Sequence, residues 1–467
     1  MRYVSTRGDA PALGFREVVL AGLARDGGLY VPDRWPELTQ SEIAELAGCS
    51  YAEAAFRIIR LFTGGEIAAP ALRRMVEGAY RTFRHESVAP LVQLEPNLFL
   101  LELFHGPTLA FKDVAMQFLA RLMDDILGEK RERATIVCAT SGDTGGAAIE
   151  AFGGREQIDI AVLFPQGRIS PVQRRQMTTS RDANVQAIAI EGTFDDAQAL
   201  VKGMFNDLRF RDRVRLSGVN SINWGRIVAQ IVYYLVAGVA LGAPHRAVSF
   251  TVPTGNFGNI FAGYAAKRMG LPIEKLVIAT NSNDILHRAL STGRYEAHGV
   301  TATSSPSMDI EVSSNFERLL FEAEGRDAGM VRRSLAGLGQ SGAFTLGEPA
   351  LDFMRTTFAS GSADEDQTAA TIAKIKQESG LLIDPHSAVG VAVAERHLGP
   401  VPMIALATAH PAKFPDAVEA ACGERPELPD WARPIMSREE SYRVLQADLD
   451  AIEKAVESRT HAMMAVG

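Results

Sequence analysis

Cysteine is scarce in this 467-residue chain: Cys49, Cys138 and Cys422 are the three, and none forms a CxxC pair. That pattern excludes a disulfide framework and a cysteine-built metal centre, and it suits a reducing compartment such as the cytoplasm. Positive charge is also in deficit. There are 48 Lys and Arg against 56 Asp and Glu, a net charge of −8. With no basic run interleaved with aromatics, a nucleic-acid partner is not expected. The opening "MRYVSTRGDAPALGF" lacks an apolar core of signal-peptide length. Only "IVAQIVYYLVAGVALGA" (227–243) approaches membrane-span length. It contains Gln230, two tyrosines and two glycines, so a buried helix is expected in place of a membrane segment.

Against these absences stands ample apolar material. Hydrophobic residues make up 46% of the chain and charged residues 22%, ordinary for a globular enzyme. The length exceeds what one core usually serves, so several domains are expected. Residues 1–95 read as a mostly helical, self-contained segment. "FREVVLAGLARDGG" (15–28) has helical spacing ending on glycines, and Thr39 with Glu42 forms a capping-box pattern.

From residue 97 the pattern becomes strand–helix alternation. Strands are expected at 97–104, 135–140, 159–165, 184–192, 247–253, 275–280 and 401–408, with helices between several of them. Near-continuous apolar strands alternating with helices predict parallel sheets in an α/β fold. The division expected is a first α/β domain over 96–220 and a second over 221–467. "ASGSADEDQ" (359–367) reads as a loop, and "REESYRVLQADLDAIEKAVES" near the C-terminus as one polar amphipathic helix.

Within "HGPTLAFKD" (105–113) sits Lys112. The apolar stripe Phe111, Ala115, Phe118, Leu119, Leu122 and Ile126 places it on the edge of a core-facing helix surface. Burial of an ammonium costs several kcal/mol unless it is paired or neutral, and burial lowers a lysine pKa. An accessible neutral amine is what covalent capture of an aldehyde requires. The plainer alternative is a lysine whose stem lies on the core while its head reaches solvent.

Two glycine-rich turns strengthen the first reading. "VCATSGDTGGAA" (137–148) runs strand, turn, helix through Ser141, Gly142, Asp143, Thr144, Gly145 and Gly146. Such a turn presents unpaired N–H groups to an anion, or is a plain turn with Ser141 or Asp143 as helix cap. "FTVPTGNFGNIFAGYAAKR" (250–268) repeats the arrangement through Gly255, Asn256, Phe257, Gly258 and Asn259. Neither GxxxxGK[ST] nor GxGxxG with a following acid is present, so a nucleotide is disfavoured. A small phosphate held by backbone N–H groups remains. Pyridoxal 5'-phosphate accounts for these features together. It needs an amine for its aldehyde, a donor-lined cup for its phosphate and a group facing its ring nitrogen. No metal is expected.

"HGPTLAFKD", "SGDTGG", "PTGNFGN", "DPHSAVG" (384–390) and "ATAHPAKFP" (407–415) together resemble the threonine synthase family, in its longer bacterial and fungal form. "YVSTRG" (3–8) and "DGGLYVP" (26–32) extend the resemblance to the N-terminus. It implies two parallel-sheet α/β domains of the tryptophan-synthase-β-like kind (fold type II), with an extra helical N-terminal segment. It implies a pyridoxal-phosphate lyase that converts O-phospho-L-homoserine and water to L-threonine and phosphate. By the same resemblance Lys112 carries the cofactor, and Gly255, Asn256, Phe257, Gly258 and Asn259 cradle its phosphate. Thr408 faces the pyridine nitrogen. Ser141, Asp143 and Thr144 line the cofactor and substrate. "NSINWGR" (220–226) resembles a segment near the substrate phosphate, which makes Asn220, Ser221, Asn223 and Arg226 substrate-binding candidates. Relatives elsewhere in the fold often carry Asn where this chain has Asp143.

Alternatives remain open at this level. Arg226 is either a phosphate ligand or part of a surface or interdomain ion pair, and Asp143 either faces the site or caps its own helix. His105 and His386 are either proton relays or hydrogen-bonded core histidines. Cys138 reads as a small apolar strand residue. A phospholyase releasing a 2-oxo acid would share every motif, and a non-catalytic amino-acid-binding relative would not need Lys112. The partners expected are a small phosphorylated amino acid and, at most, a second copy of the chain.

Overall fold

Strands that are apolar along their whole length must be covered on both faces, and the chain arranges this twice. The computed structural model describes residues 1–462. The expected 221–467 segment thus extends past the described residues at its last five positions. A six-stranded sheet runs in the order Phe358–Ser362, Ile273–Thr280, Val248–Pro253, Met403–Ala407, Leu98–Glu102 and Leu91–Glu95. All its neighbours are parallel except the last pair, an antiparallel edge. A five-stranded parallel sheet runs Arg443–Gln446, Val185–Glu191, Ile158–Pro165, Ala134–Ala139 and Leu216–Ser217. The α/β class with parallel sheets is therefore as expected. No described helix is long and apolar enough to cross a membrane. The apolar run near 227 is the helix Trp224–Ala240, buried along almost its whole length.

The sheets do not divide the chain at residue 220. Leu98–Glu102 lies beside Met403–Ala407 and is part of the six-stranded sheet, whereas Arg443–Gln446 returns to the edge of the five-stranded one. The reason is pairing: an edge with unpaired N–H and C=O groups takes whichever strand can cover it, whatever the sequence separation.

Four local expectations are corrected. The helix from residue 15 stops at Ala21, not at Gly27-Gly28. Gly22 has φ 66°, and an added Cβ there would lie 2.9 Å from the Gly218 carbonyl oxygen. Residues 359–362 belong to a strand paired with Ile273–Thr280, and Asp364 then caps the helix Glu365–Ser379. The C-terminal "polar helix" is a strand, Arg443–Gln446, followed by Leu449–Glu457, which Asp448 caps.

The fourth concerns the N-terminal segment, which is not self-contained. Its small antiparallel sheet, Tyr3–Ser5 with Tyr30–Pro32, and its helices Tyr51–Phe62 and Ala69–Tyr80 share one core with Lys112–Lys130 and Trp224–Ala240. The Tyr3 and Phe62 rings lie 5.7 and 6.0 Å from that of Trp224. The Thr39–Glu42 capping box forms as read.

Arg318, fully buried on the helix Phe316–Ala323, binds the segment down. Its Nε donates to the Tyr30 carbonyl at 2.9 Å, its Nη2 to that of Ile222 at 2.6 Å, and its Nη1 to the Asn315 side chain. Glu317 next to it accepts from Thr6 at 2.5 Å and from both Nε and Nη2 of Arg7. Arg318→Met keeps the volume but strands these acceptors in the interior. It is expected to cost about 3 kcal/mol, read as a lower denaturant midpoint with earlier proteolytic release of the N-terminal segment.

Candidate active site

The central strand Met403–Ala407 sets the position of Lys112. At its C-terminal end Thr408 accepts a hydrogen bond from the Phe111 backbone N–H at 2.8 Å, and His410 N–H donates to the Leu109 carbonyl at 3.0 Å. Ala110 and Ala409 form a bridge between the two segments. Lys112 is then the first residue of the helix Lys112–Lys130. Its side chain does not reach out to solvent: the residue is 8% exposed. Nζ lies 3.4 Å from Asp143 Oδ2 and 4.9 Å from the centre of the Phe111 ring. Burial lowers its pKa; nearby Asp143 opposes this, while the Lys413 and Arg226 charges reinforce it.

The 140–146 turn behaves differently from a free anion cup. The Thr140 hydroxyl accepts from the N–H groups of Gly142 and Gly145, each at 2.9 Å. Gln173 fills the space a side chain at Gly142 would need, and Met177 does so at Gly145. Gly142, at φ 141°, is the cap residue and makes no side-chain cap bond. Asp143 therefore does not cap its helix. Its Oδ1 accepts from Lys413 Nζ at 2.8 Å and from Gln173 Nε2 at 2.9 Å, and its Oδ2 faces Lys112. Those cations hold its pKa far below the carboxylate range despite the burial. Ser141 and Thr144 flank it, half-buried.

Lys413 was not singled out by sequence reasoning, although it lies within "ATAHPAKFP". Its side chain is wholly buried. Besides Asp143, Nζ donates to the Thr108 carbonyl at 2.8 Å and to Gln176 Oε1 at 3.0 Å. A lysine just after the buried strand that carries Thr408 was the available signal.

The 255–259 turn is the open cup. Phe257 adopts φ 64° and is the cap residue of the helix Gly258–Arg268, with no side-chain cap bond. Among the described residues, no protein acceptor takes the backbone N–H groups of 255–259. The Asn259 Oδ1 accepts from the hydroxyls of Tyr233 at 2.5 Å and Tyr234 at 2.9 Å, while its buried Nδ2 has no partner. A Cβ at Gly255 would lie 2.9 Å from the Ser307 carbonyl oxygen, so only glycine lets that loop pass so close. Asn256 is held through its carbonyl by Asn315 and through its side chain by Ser314.

Thr408 is buried at the strand end, its N–H donating to Ser387 Oγ at 3.2 Å. Ser387 in turn donates to Asp384, which caps the helix Pro385–Glu395. The same carboxylate accepts from His386 Nδ1 at 2.7 Å, and His386 Nε2 accepts from the Ser307 N–H at 3.1 Å. His386 is a fully hydrogen-bonded core histidine. His105 is half-buried, with Nε2 2.8 Å from Glu102 Oε2. Cys138 is inert: burial pushes its thiol up to about 12.

The 220–226 stretch splits. Asn223 is fully spent: it caps Trp224–Ala240 through Gly225 N–H at 2.9 Å and donates to the carbonyls of Val19 and Gly218. Both of its amide donors are taken, so neither is left for a substrate phosphate. Ser221 accepts from Asn315, next to the 255–259 turn, and Asn220 accepts the Asn223 N–H through its carbonyl. Arg226 is 3% exposed and donates to the Val219 carbonyl at 3.2 Å. It makes no ion pair among the described residues, and its Nε has no partner. Burial pushes its pKa down to about 10. The interdomain ion pair is thus not what Arg226 makes; a buried guanidinium without a carboxylate is suited to an incoming anion.

The chain is similar to known proteins along nearly its whole length. Family profiles for the threonine synthase N terminus, pyridoxal-phosphate dependent enzymes and the threonine synthase C-terminal region match residues 2–80, 82–403 and 387–456. A threonine synthase from Pseudomonas aeruginosa is 51% identical, the match covering 98% of both chains. The crystal structure of a PLP-bound threonine synthase from Brucella melitensis superposes with a TM-score of 0.97 at 62% identity, over 99% of this chain and 100% of that one. The yeast enzyme's structure gives 0.93 at 39%, over 98% of each. With matches of this identity and extent, the chain, with its buried lysine and its turn of unpartnered N–H groups, belongs to the threonine synthase family of pyridoxal-phosphate-dependent enzymes.

Proposed function

We infer that the chain converts O-phospho-L-homoserine and water to L-threonine and phosphate, as a carbon–oxygen lyase of threonine biosynthesis. The observation that carries this reading is the buried Lys112 amine, whose one hydrogen-bond partner among the described residues is Asp143, at 3.4 Å. The pyridoxal-phosphate site is supported by the unpartnered N–H groups of 255–259, the orphaned Asn259 Nδ2 and the glycine that position 255 requires. When bound, the cofactor supplies an electron sink conjugated to the substrate amine, letting phosphate leave Cγ and water add at Cβ.

The protein's own groups do the rest. Lys112 would hold the cofactor through its aldehyde, and its Nζ, buried beside Asp143, would move protons at Cα and later at Cβ. Gly255 through Asn259 bind the cofactor phosphate. Thr408, buried at the strand end, is the residue that would face the ring nitrogen, and its neutral hydroxyl would withhold the full charge a carboxylate would impose. Arg226 binds the substrate phosphate bidentately. Ser141, Thr144, Asn220 and Ser221 line the approach, and Asn223 is a structural cap. A cytoplasmic location completes the reading, supported by three free cysteines, with a monomer or homodimer as the assembly.

Incubation with O-phospho-L-homoserine should release phosphate and threonine in equal amounts; 2-oxobutyrate in place of threonine would identify a phospholyase instead. Lys112→Ala should remove the cofactor's visible band near 410 nm (the usual position for an internal Schiff base) and cut kcat at least about a thousand-fold. Arg226→Gln should raise KM about tenfold or more with a smaller effect on kcat. Asn223→Ala should leave KM unchanged while lowering stability by about 2 kcal/mol. Steady-state kinetics beside a denaturation curve separates the two outcomes.

A further inference from the structure

Two buried ammonium groups share one carboxylate in this site. Asp143 lies between Lys413 Nζ at 2.8 Å and Lys112 Nζ at 3.4 Å. The two lysines are served unequally. Lys413 has three donors and three acceptors, namely Asp143 Oδ1, the Thr108 carbonyl and Gln176 Oε1, all at 2.8–3.0 Å. Gln176 is itself fixed, since its Nε2 donates to the same Thr108 carbonyl at 2.9 Å. Lys112 has one long contact. In a low-dielectric interior one anion neutralises one cation, and the better-coordinated cation keeps its charge.

We propose that Lys413 is a positioning residue: by occupying Asp143 it decides which of the two lysines gives up its proton, leaving the nitrogen of residue 112 free to bond the cofactor and to move protons. The other charged groups of the site agree. Arg226, from the helix Trp224–Ala240, adds a further positive charge that works against protonation of Lys112. Asp113 is turned away, accepting from the Thr108 N–H at 2.8 Å and hydroxyl at 2.7 Å. His410, on the Lys413 side, is driven to its neutral form, its pKa pushed down to about 4 by burial. Among the described residues no second anion pairs with residue 112. Removing the Lys413 charge acts twice in one direction: a repelling cation disappears, and Asp143 becomes available to residue 112.

The proposal rests on attachment of the cofactor at Lys112, and the readout keeps the two apart. If attachment is wrong, Lys112→Ala retains the visible band; if this inference is wrong, the band stays but its pH dependence ignores position 413. The pH midpoint of the band is titrated in the holoenzyme of wild type, Lys413→Gln and Lys413→Arg. A rise of at least about one pH unit is expected in Lys413→Gln, with the wild-type midpoint restored in Lys413→Arg. An unchanged midpoint in Lys413→Gln, or an equal shift in both variants, overturns the assignment. A second measurement needs no variant: the nitrogen-15 shift of Lys413 Nζ in the wild-type holoenzyme. It should remain that of an ammonium throughout the titration of the band, and loss of that proton first overturns the assignment even if the substitutions prevent folding.

Discussion

A buried amine with no counter-ion of its own is the constraint around which this molecule is arranged. Lys112 sits at the start of a helix, and its charge is opposed by burial and by two neighbouring cations. The one carboxylate close by is committed more tightly elsewhere. Everything that places Lys112 there is backbone: the Thr408 carbonyl, the Ala110–Ala409 bridge and the Leu109 carbonyl. Reactivity is therefore set by the sheet, and the sheet is set by pairing of Leu98–Glu102 with Met403–Ala407.

The two glycine-rich turns look alike in sequence and differ in use. In the first, Thr140 takes two of the N–H groups and Gln173 fills the glycine space, so the turn closes on itself and presents Asp143. In the second, the donors of 255–259 stay unpartnered while Ser313 and Asn315 hold the loop by donating to the carbonyls of Gly255 and Asn256. One turn holds a charged side chain in place and the other keeps its donors free.

Much of the parallel architecture was legible, because strands such as Ile158–Pro165 are apolar on both faces and leave no helical alternative of that length. Lys112 and the turn at Gly255 were noticed for a related reason, since a lysine on an apolar stripe and clustered glycines break the local pattern, whereas Thr408 came only through the family resemblance. What was not legible depended on partners far away in sequence. Phe358–Ser362 reads as a loop until Ile273–Thr280 offers it an edge, and Arg443–Gln446 reads as helix until Val185–Glu191 does. Lys413 escaped notice since its meaning lies in Asp143, 270 residues earlier by their numbers. Asn223 misled because its amide looks available, whereas the Val19 carbonyl consumes it.

The order of strands also bears on how the chain comes into being on the ribosome. Leu98–Glu102 waits for Met403–Ala407, and the small sheet near the N-terminus waits for Arg318. Contacts this distant cannot form until nearly all of the polypeptide has emerged, which makes assembly slow and leaves apolar edges uncovered meanwhile. The N-terminal segment, already synthesised and rich in surface meant for the Trp224–Ala240 helix, is the part for which nascent-chain chaperones have most to do.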